Sequence, residues 1–196
     1  MSASTLRATS RAASLLCALC LLGPWACASS VSTHAASPTS PFEDVDHVLF
    51  DNGIDFVEDP AALSGSWRAD IERELRQRIT RSDVVAQIRV DTVVVERDPE
   101  GAKKLVLSTA VGEKWRGVID EELPLSVGPS QPGYAALDRA QPRLLEGQFV
   151  LFLKWAEDAS GKVVARFHLA PASEPVVEAV KAALGKDSNR VIRITR

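Results

Sequence analysis

Residues 144–173 (LLEGQFVLFLKWAEDASGKVVARFHLAPAS) constrain the fold more than any other stretch, because they predict a β-hairpin. Four large residues share one face of the first strand: Phe149, Leu151, Leu153 and Trp155. Val150 and Phe152 make the opposite face apolar as well. Apolarity on both faces is typical of a strand that is covered on both sides. The remaining elements are therefore expected to wrap around this hairpin.

The loop and the return strand complete the hairpin. Residues 157–161 (EDASG) have turn chemistry, because Asp and Ser bond the local backbone and Gly adopts a positive φ. The return strand alternates, and one set of side chains is expected to point inward: Val163, Ala165, Phe167 and Leu169. The residues between them are expected to point mostly outward: Lys162, Val164, Arg166 and His168.

Residues 1–28 have the pattern of an export signal. Arg7 and Arg11 precede the apolar run 12–22 (AASLLCALCLL), which is shorter than the roughly 20 residues that span a bilayer. Two processing routes stay open: cleavage after Ala28, or a lipoprotein signal that ends before Cys27 and leaves that cysteine lipidated. The first predicts a periplasmic or secreted protein, and the second predicts a protein anchored to the membrane of a bacterial cell envelope.

Composition limits the rest of the chain. Residues 29–41 are rich in Ser, Thr, Ala and Pro, and they predict a disordered tether before a single β-rich domain at 42–196. Cys17 and Cys20 lie in the signal, so the domain has no disulfide framework. The formal net charge is −3, and nothing resembles the basic surface of a nucleic-acid-binding protein.

Periodicity predicts the other elements of the domain. Asp51-Asn52-Gly53 between two apolar runs predicts a small hairpin of residues 48–50 with 54–57. The predicted helices are 67–81, capped by Ser66, and 174–184, stopped by Gly185, with one helical turn at 135–138 in a long loop. The other predicted strands are 84–96, 103–111, 123–127 and a last edge strand at 190–195. The predicted fold class is α+β and mainly antiparallel: a small OB-like β-barrel domain with two flanking helices.

The sequence offers no catalytic constellation. The histidines after the signal are His34, His47 and His168, and no G-x-S-x-G elbow accompanies them. An acidic run between residues 44 and 59 could ligate a hard cation, but its spacing does not fit the twelve-residue calcium loop. Solvated charges beside a turn are the favoured interpretation. No cofactor and no metal site is predicted.

Four residues are the candidates for binding a ligand or a partner. Arg166 and His168 are neighbours on the predicted outward face, and Lys154 of the partner strand could join them in a patch for an anion. The alternative is an ordinary charged sheet face. Trp115 lies in the charged connection 112–117 (GEKWRG), where an aromatic residue beside an arginine is a common interface anchor. Packing at the end of the barrel is the favoured alternative for Trp115, and Trp67 and Trp155 are expected in the core.

The strand patterns between residues 82 and 155 resemble the TIMP-like or netrin-module β-barrels of secreted bacterial proteins, over less than half of the chain. They are SDVVAQIRVDTVVV, KKLVLSTAVGEKWRG, LPLSV and LLEGQFVLFLKW. The animal metalloprotease inhibitors with this module use an N-terminal cysteine and disulfides, whereas here only Cys27 remains, so protease inhibition is not carried over. The signal, the tether and the Arg-rich helix are similar to those of uncharacterised myxobacterial lipoproteins, which imply no activity.

These observations favour a non-enzymatic binding or structural module, exported and either lipid-anchored or free. Its expected partner is another envelope protein or a small anionic ligand, with no nucleic acid. The alternative hypothesis is a metal-dependent envelope hydrolase that uses His47, His168 and the acids near Asp51.

Overall fold

The structure, a computed structural model, describes the backbone of residues 38, 40–97 and 101–192, and their side chains as far as residue 185. All of them belong to one structural unit. The helices are α1 Asp44–Leu49, α2 Gly65–Arg81, α3 Tyr134–Leu144 and α4 Glu174–Ile192. The strands are β1 Gly53–Ile54, β2 Val84–Arg97, β3 Lys103–Arg116, β4 Glu122–Val127, β5 Gln148–Glu157 and β6 Val163–Pro171. The export signal, Cys27 and most of the tether lie outside the described residues.

The six strands form one sheet in the order β1-β6-β5-β2-β3-β4. Neighbours are antiparallel except β1 and β6, which are parallel. The sheet curls into a half-barrel with helices packed against it. The predicted class, an α+β and mainly antiparallel small barrel domain, is therefore confirmed. The two predicted flanking helices correspond to α2 and α4, and α1 and α3 are additional.

Both faces of the sheet are covered, as the sequence of β5 predicts. On one face, which we call the α3 face, Phe149, Leu151 and Leu153 pack with buried residues of α3. On the other, the three-helix face, Val150 and Phe152 pack with buried residues of α1, α2 and α4. Burial of apolar surface on both sides makes β5 the centre of the fold.

The N-terminal part of the domain differs from the prediction. The expected hairpin of 48–50 with 54–57 is wrong, because α1 runs to Leu49 and β1 pairs with β6 instead. The turn signal is real, since Asn52 has a φ of 56°, but it joins a helix to a strand. The backbone N–H of Asn52 donates to the Phe167 carbonyl, and the Asp55 N–H donates to the Leu169 carbonyl. Long-range pairing with β6 therefore overrides the local hairpin preference.

Several element boundaries also move. Ser64, not Ser66, occupies the N-cap position of α2, and Trp67 is 73% exposed rather than in the core. The predicted helical turn at 135–138 is the eleven-residue α3, because Leu137, Ala140 and Leu144 are all buried on the α3 face.

Two elements, β3 and α4, also continue past the glycines at which they are predicted to end. The expected connection 112–117 is the end of β3, which pairs with β2 as far as Arg116. The α4 helix continues through Gly185 to Ile192, so the predicted stop is wrong. The predicted last strand is helical at 190–192, and its residues 193–195 lie outside the described residues. Within the described part of the chain, no helix combines the length and apolarity needed to cross a bilayer.

Candidate functional site

The first charged cluster on the three-helix face is centred on His168, and we call it the His168 cluster. Its members are Asp51, Asp55, Arg78 and His168. Nδ1 of His168 lies 2.8 Å from Oδ1 of Asp51, and Nε2 lies 3.1 Å from Oδ2 of Asp55. Nη1 of Arg78 lies 3.6 Å from the same Asp55 oxygen. Because carboxylates only accept, both contacts to the ring are hydrogen bonds at once only when both ring nitrogens carry protons.

Local backbone geometry places the two carboxylates. The Asp51 side chain accepts from the Gly53 N–H, and the Asp55 side chain accepts from the Val57 N–H. Between them, Oδ1 of buried Asn52 accepts from the Phe167 N–H at 2.9 Å. The loop therefore folds around its own carboxylates and docks beside His168, which stands opposite Gly53 in the parallel pair.

The second cluster, the Asp46 cluster, consists of Glu43, Asp46, Arg81 and Lys154. Asp46 has no exposed surface, and Lys154 is 1% exposed. Nε and Nη2 of Arg81 bind the two Asp46 oxygens at 2.5 and 3.0 Å, and Nη2 also binds Glu43 at 2.8 Å. Nζ of Lys154 lies 3.9 Å from Asp46 and donates to the Ser40 hydroxyl at 2.7 Å. This cluster ties the segment before β1 to α2 and β5.

The Asp46 cluster is strongly coupled electrostatically. Burial by itself would raise the pKa of Asp46, but the hydrogen bonds from Arg81 and the Glu43 N–H, with the positive charges of Lys154 and Arg81, lower it overall. The hydrogen bond to Asp46 is the main reason why the pKa of Arg81 is raised. Both groups are therefore ionised near neutral pH, and the buried pair is a permanent charge pair.

Three of the four predicted binding residues lie on one face of the sheet, but not as an exposed patch. Lys154 stands directly opposite Arg166 in the β5–β6 ladder, and His168 follows two residues later. The predicted outward placement is wrong for Lys154 and for His168, which is 4% exposed, because the segment before β2 covers this part of the sheet. Arg166 is half-buried. Lys154 and His168 thus already have partners within the protein.

Trp115 lies apart from those three residues, on β3, which is separated from β5 by β2. Its ring is partly buried against the apolar core of the three-helix face. Nζ of Lys181 is 5.5 Å from the ring centroid and 2.8 Å from the Glu113 carboxylate. The hydrogen bond from Lys181, with a smaller contribution from Trp115, lowers the pKa of Glu113. Trp115, the predicted interface residue, therefore packs between β3 and α4.

Of the residues in the metal hypothesis, His168 lies together with Asp51 and Asp55, whereas His47 lies apart from them. His47 lies exposed on α1 and packs edge-on against Phe42, with ring centroids 4.9 Å apart, whereas His168 is held by Asp51 and Asp55. Among the residues that the structure describes, no group of three or more His, Cys, Asp or Glu side chains is placed to hold a metal ion. Each ring nitrogen of His168 faces a carboxylate oxygen, of Asp51 on one side and Asp55 on the other.

Sequence reasoning missed the structural role of the acidic run. Asp46, Asp51 and Asp55 were expected to be solvated, and the structure buries the first and bonds the other two to His168. For Asp46 a local signal existed: Leu49 and Phe50 are the large apolar residues of this segment, and a helix beginning at Asp44 brings Asp46 and Leu49, three residues apart, to the same side. For Asp51 and Asp55 the partner is more than a hundred residues away, and no local pattern indicates it.

A groove lies between α2 and α4, and we call it the α2–α4 groove. Its volume is about 470 Å³, within the range of small-molecule sites. Leu75 and Ile79 of α2 form its floor, and Ala179, Ala182 and Ala183 of α4 form one wall. Pro60 closes one end. No member of the sequence-predicted site lies in this groove.

The acidic groups that line the α2–α4 groove have partners within the protein. Glu72 accepts from Nε of Arg68 at 2.8 Å and lies 3.8 Å from Nη1 of Arg76. The hydrogen bond from Arg68 is the main cause of the lowered pKa of Glu72. The Asp59 carboxylate accepts from the Ala61 N–H. The groove therefore presents apolar carbon beside acidic groups that are already hydrogen-bonded.

No protein-family model matches the chain, and no curated protein matches it significantly. The functional interpretation accordingly depends on the geometry of these clusters and of the groove.

Proposed function

We propose that the protein is an exported, non-enzymatic binding module, lipid-anchored or free, whose ligand site is the α2–α4 groove. One observation carries the proposal. The groove is a concave apolar surface of ligand size on helices that are held rigidly against the sheet by a buried core. Most small-molecule sites are of this kind: apolar, concave and largely pre-formed.

The lining indicates the chemistry of the ligand. Apolar side chains form the floor and wall, and the acidic rim groups Asp59 and Glu72 already have partners. A charged ligand would gain little from such a rim, whereas an apolar chain or ring would gain the area it removes from water, about 25 cal/mol per Å². A small uncharged apolar ligand, such as an acyl chain, fits the groove best.

The two charged clusters support a non-enzymatic role. A general base needs a nitrogen or oxygen that a substrate can reach. Both nitrogens of His168 are occupied by carboxylates, and Asp46 and Lys154 are buried with each other. These groups hold the segment 40–55 in place. The alternative hypothesis is a metal-dependent envelope hydrolase that uses His47, His168 and the acids near Asp51.

Binding of an uncharged fluorescent probe, the methyl ester of a polyene fatty acid, to the purified protein tests the proposal. Ala182→Trp fills the groove from an exposed position on α4, and it is expected to weaken binding about tenfold or more, or about 1.4 kcal/mol. Ala135→Trp, at an exposed position of α3 outside the groove, is the matched control and should bind like the parent. Equal affinities in all three proteins would place the ligand elsewhere, and no binding would reject the apolar ligand.

The anchor is tested separately. Cys27→Ser should move the protein from the membrane fraction to the soluble fraction and remove the mass of the lipid. Unchanged fractionation and mass would reject lipidation and leave the binding proposal untouched.

A further inference from the structure

The outer half of β2 is an exposed strand edge. The β2–β5 ladder ends at Arg89 with Gln148, and backbone hydrogen bonds link Val90 to Glu146 and Gly147. Beyond Val90, β3 is the one strand that pairs with β2 among the residues the structure describes. The β2 edge, as we call residues 91–97 (DTVVVER), therefore directs unpaired backbone groups toward solvent.

The two outermost strands of the sheet are poor templates for pairing. On one side, β1 has two residues, so it offers almost no template for another strand. On the other, β4 has six residues and carries Pro124, which has no N–H to donate. Short strands and proline are the usual means of blocking edge-to-edge pairing. The β2 edge has neither, and it presents Val94 and Val95, each 48% exposed, on opposite faces.

The two ends of the β2 edge, each three residues from Val94, carry opposite charges: Asp91 at one end and Arg97 at the other. In an antiparallel pair of two copies centred on that residue, Asp91 of each copy stands opposite Arg97 of the other, and Val93 stands opposite Val95. We propose that the β2 edge is a homodimer interface in which two copies pair antiparallel about Val94 to form one continuous sheet. Such a contact is isologous and closes on itself.

The charge pattern also selects the register. Directly opposite residues of an antiparallel pair share a face, so the neighbouring symmetric registers are centred on Val93 or Val95. The pair centred on Val93 places Arg89 opposite Arg97 of the second copy, twice, and like charges directly opposite each other are unfavourable. The pair centred on Val95 places Arg97 opposite the apolar Val93. The pairing about Val94 is thus the register with two opposite-charge pairs.

Both ends of the proposed pair are accessible. Asp91 and Arg97 are exposed, and Asp91 accepts from the neighbouring Arg89 at 2.7 Å. In the dimer, Arg97 of the second copy would add to that contact. Arg97 donates to the Gly101 carbonyl at 3.3 Å, and a carboxylate offers it a stronger partner.

The test uses two charge reversals and their mixture, measured by native mass spectrometry and analytical ultracentrifugation at low salt. Asp91→Lys places a positive charge opposite Arg97 of the second copy, and Arg97→Glu places a negative charge opposite Asp91. Each variant alone should dimerise about tenfold more weakly than the parent, or worse. Mixed together they should form a heterodimer, because the pair of side chains at each end of the interface then carries opposite charges. Circular dichroism should show unchanged folding, because both positions are exposed.

Each outcome bears on the proposal. A parent protein that stays monomeric at high concentration overturns it. Parent-like dimers in both single variants place the interface on another surface and also overturn it. Loss of both homodimers without recovery in the mixture rejects the Asp91–Arg97 register. Recovery only in the mixture supports the pairing about Val94.

Discussion

The two faces of the same sheet are stabilised in different ways. The core of the α3 face is apolar from β1 to β4, with Phe167 and Leu107 completely buried. The three-helix face has an apolar centre around Phe152, but buried Lys154 and His168 lie beside it on the same strands. The α3 face is filled mainly by apolar side chains, with buried Thr109 donating to the Leu123 carbonyl. The other also buries charges and satisfies them with partners from a distant segment.

The difference shows how the N-terminal segment is attached. Apolar packing is non-directional and tolerates several arrangements, whereas hydrogen-bonded charge pairs specify one. Asp46, Asp51 and Asp55 reach Arg81 and His168 across long sequence separations. The charged clusters therefore position the segment 40–55 on the sheet, while the apolar cores supply most of the stability.

The largest effect is expected from the α3 face. Phe167→Ala removes a completely buried ring, and the lost burial with the cavity should lower the free energy of unfolding by about 3–5 kcal/mol. Urea denaturation measures it.

Val163→Ala is the matched control for Phe167→Ala, because Val163 lies on the same strand and has the same parity but is half-buried. Its cost should stay below about 1.5 kcal/mol. Equal costs at the two positions would contradict the description of Phe167 as part of a close-packed core.

Much of the fold could be predicted from local patterns. The apolar residues on both faces of β5 correctly indicate a strand between two layers, and Phe167 and Leu169 lie inward as their alternation predicts. Leu75 and Ile79, four residues apart on one side of the predicted helix, correctly place α2 against the sheet. These predictions succeed because burial of a regular element leaves a period in its own sequence.

The charged clusters could not be predicted in the same way. Alternation marks Lys154 and His168 as polar and therefore outward, but it does not say what covers the outward face. Their partners Ser40 and Asp51 are 114 and 117 residues away in sequence. Trp67 shows the opposite error. Its position in the helical period of α2 predicts burial, but its side chain is exposed. The periodicity of a sequence shows which residues share a face of a helix or strand. Whether that face is buried depends on the element that packs against it.

The second prediction concerns the charges of the three-helix face. Asp46→Ala leaves Lys154 buried without its carboxylate, with only the Ser40 hydroxyl and the Arg81 carbonyl as acceptors. Breaking a buried pair in this way should cost about 3 kcal/mol in the free energy of unfolding. Adding Lys154→Met removes the uncompensated charge and should recover about 1–2 kcal/mol. If the two substitutions are instead simply additive and both destabilising, Asp46 and Lys154 are not coupled and the face is held by packing alone.

The smallest effect is the pH dependence that Asp46 contributes. Its pKa is lowered in the folded protein, so when the pH falls the unfolded chain binds the proton first. The stabilisation is therefore complete above about pH 5 and is lost as the pH falls through the folded pKa. Asp46→Asn keeps the shape and an acceptor for the Glu43 N–H but cannot titrate. The difference in unfolding free energy between parent and variant should narrow as the pH falls from 6 to 3. A constant difference across this range would show that the carboxylate charge of Asp46 adds nothing beyond its shape, and the two faces of the sheet would then be alike in their dependence on packing.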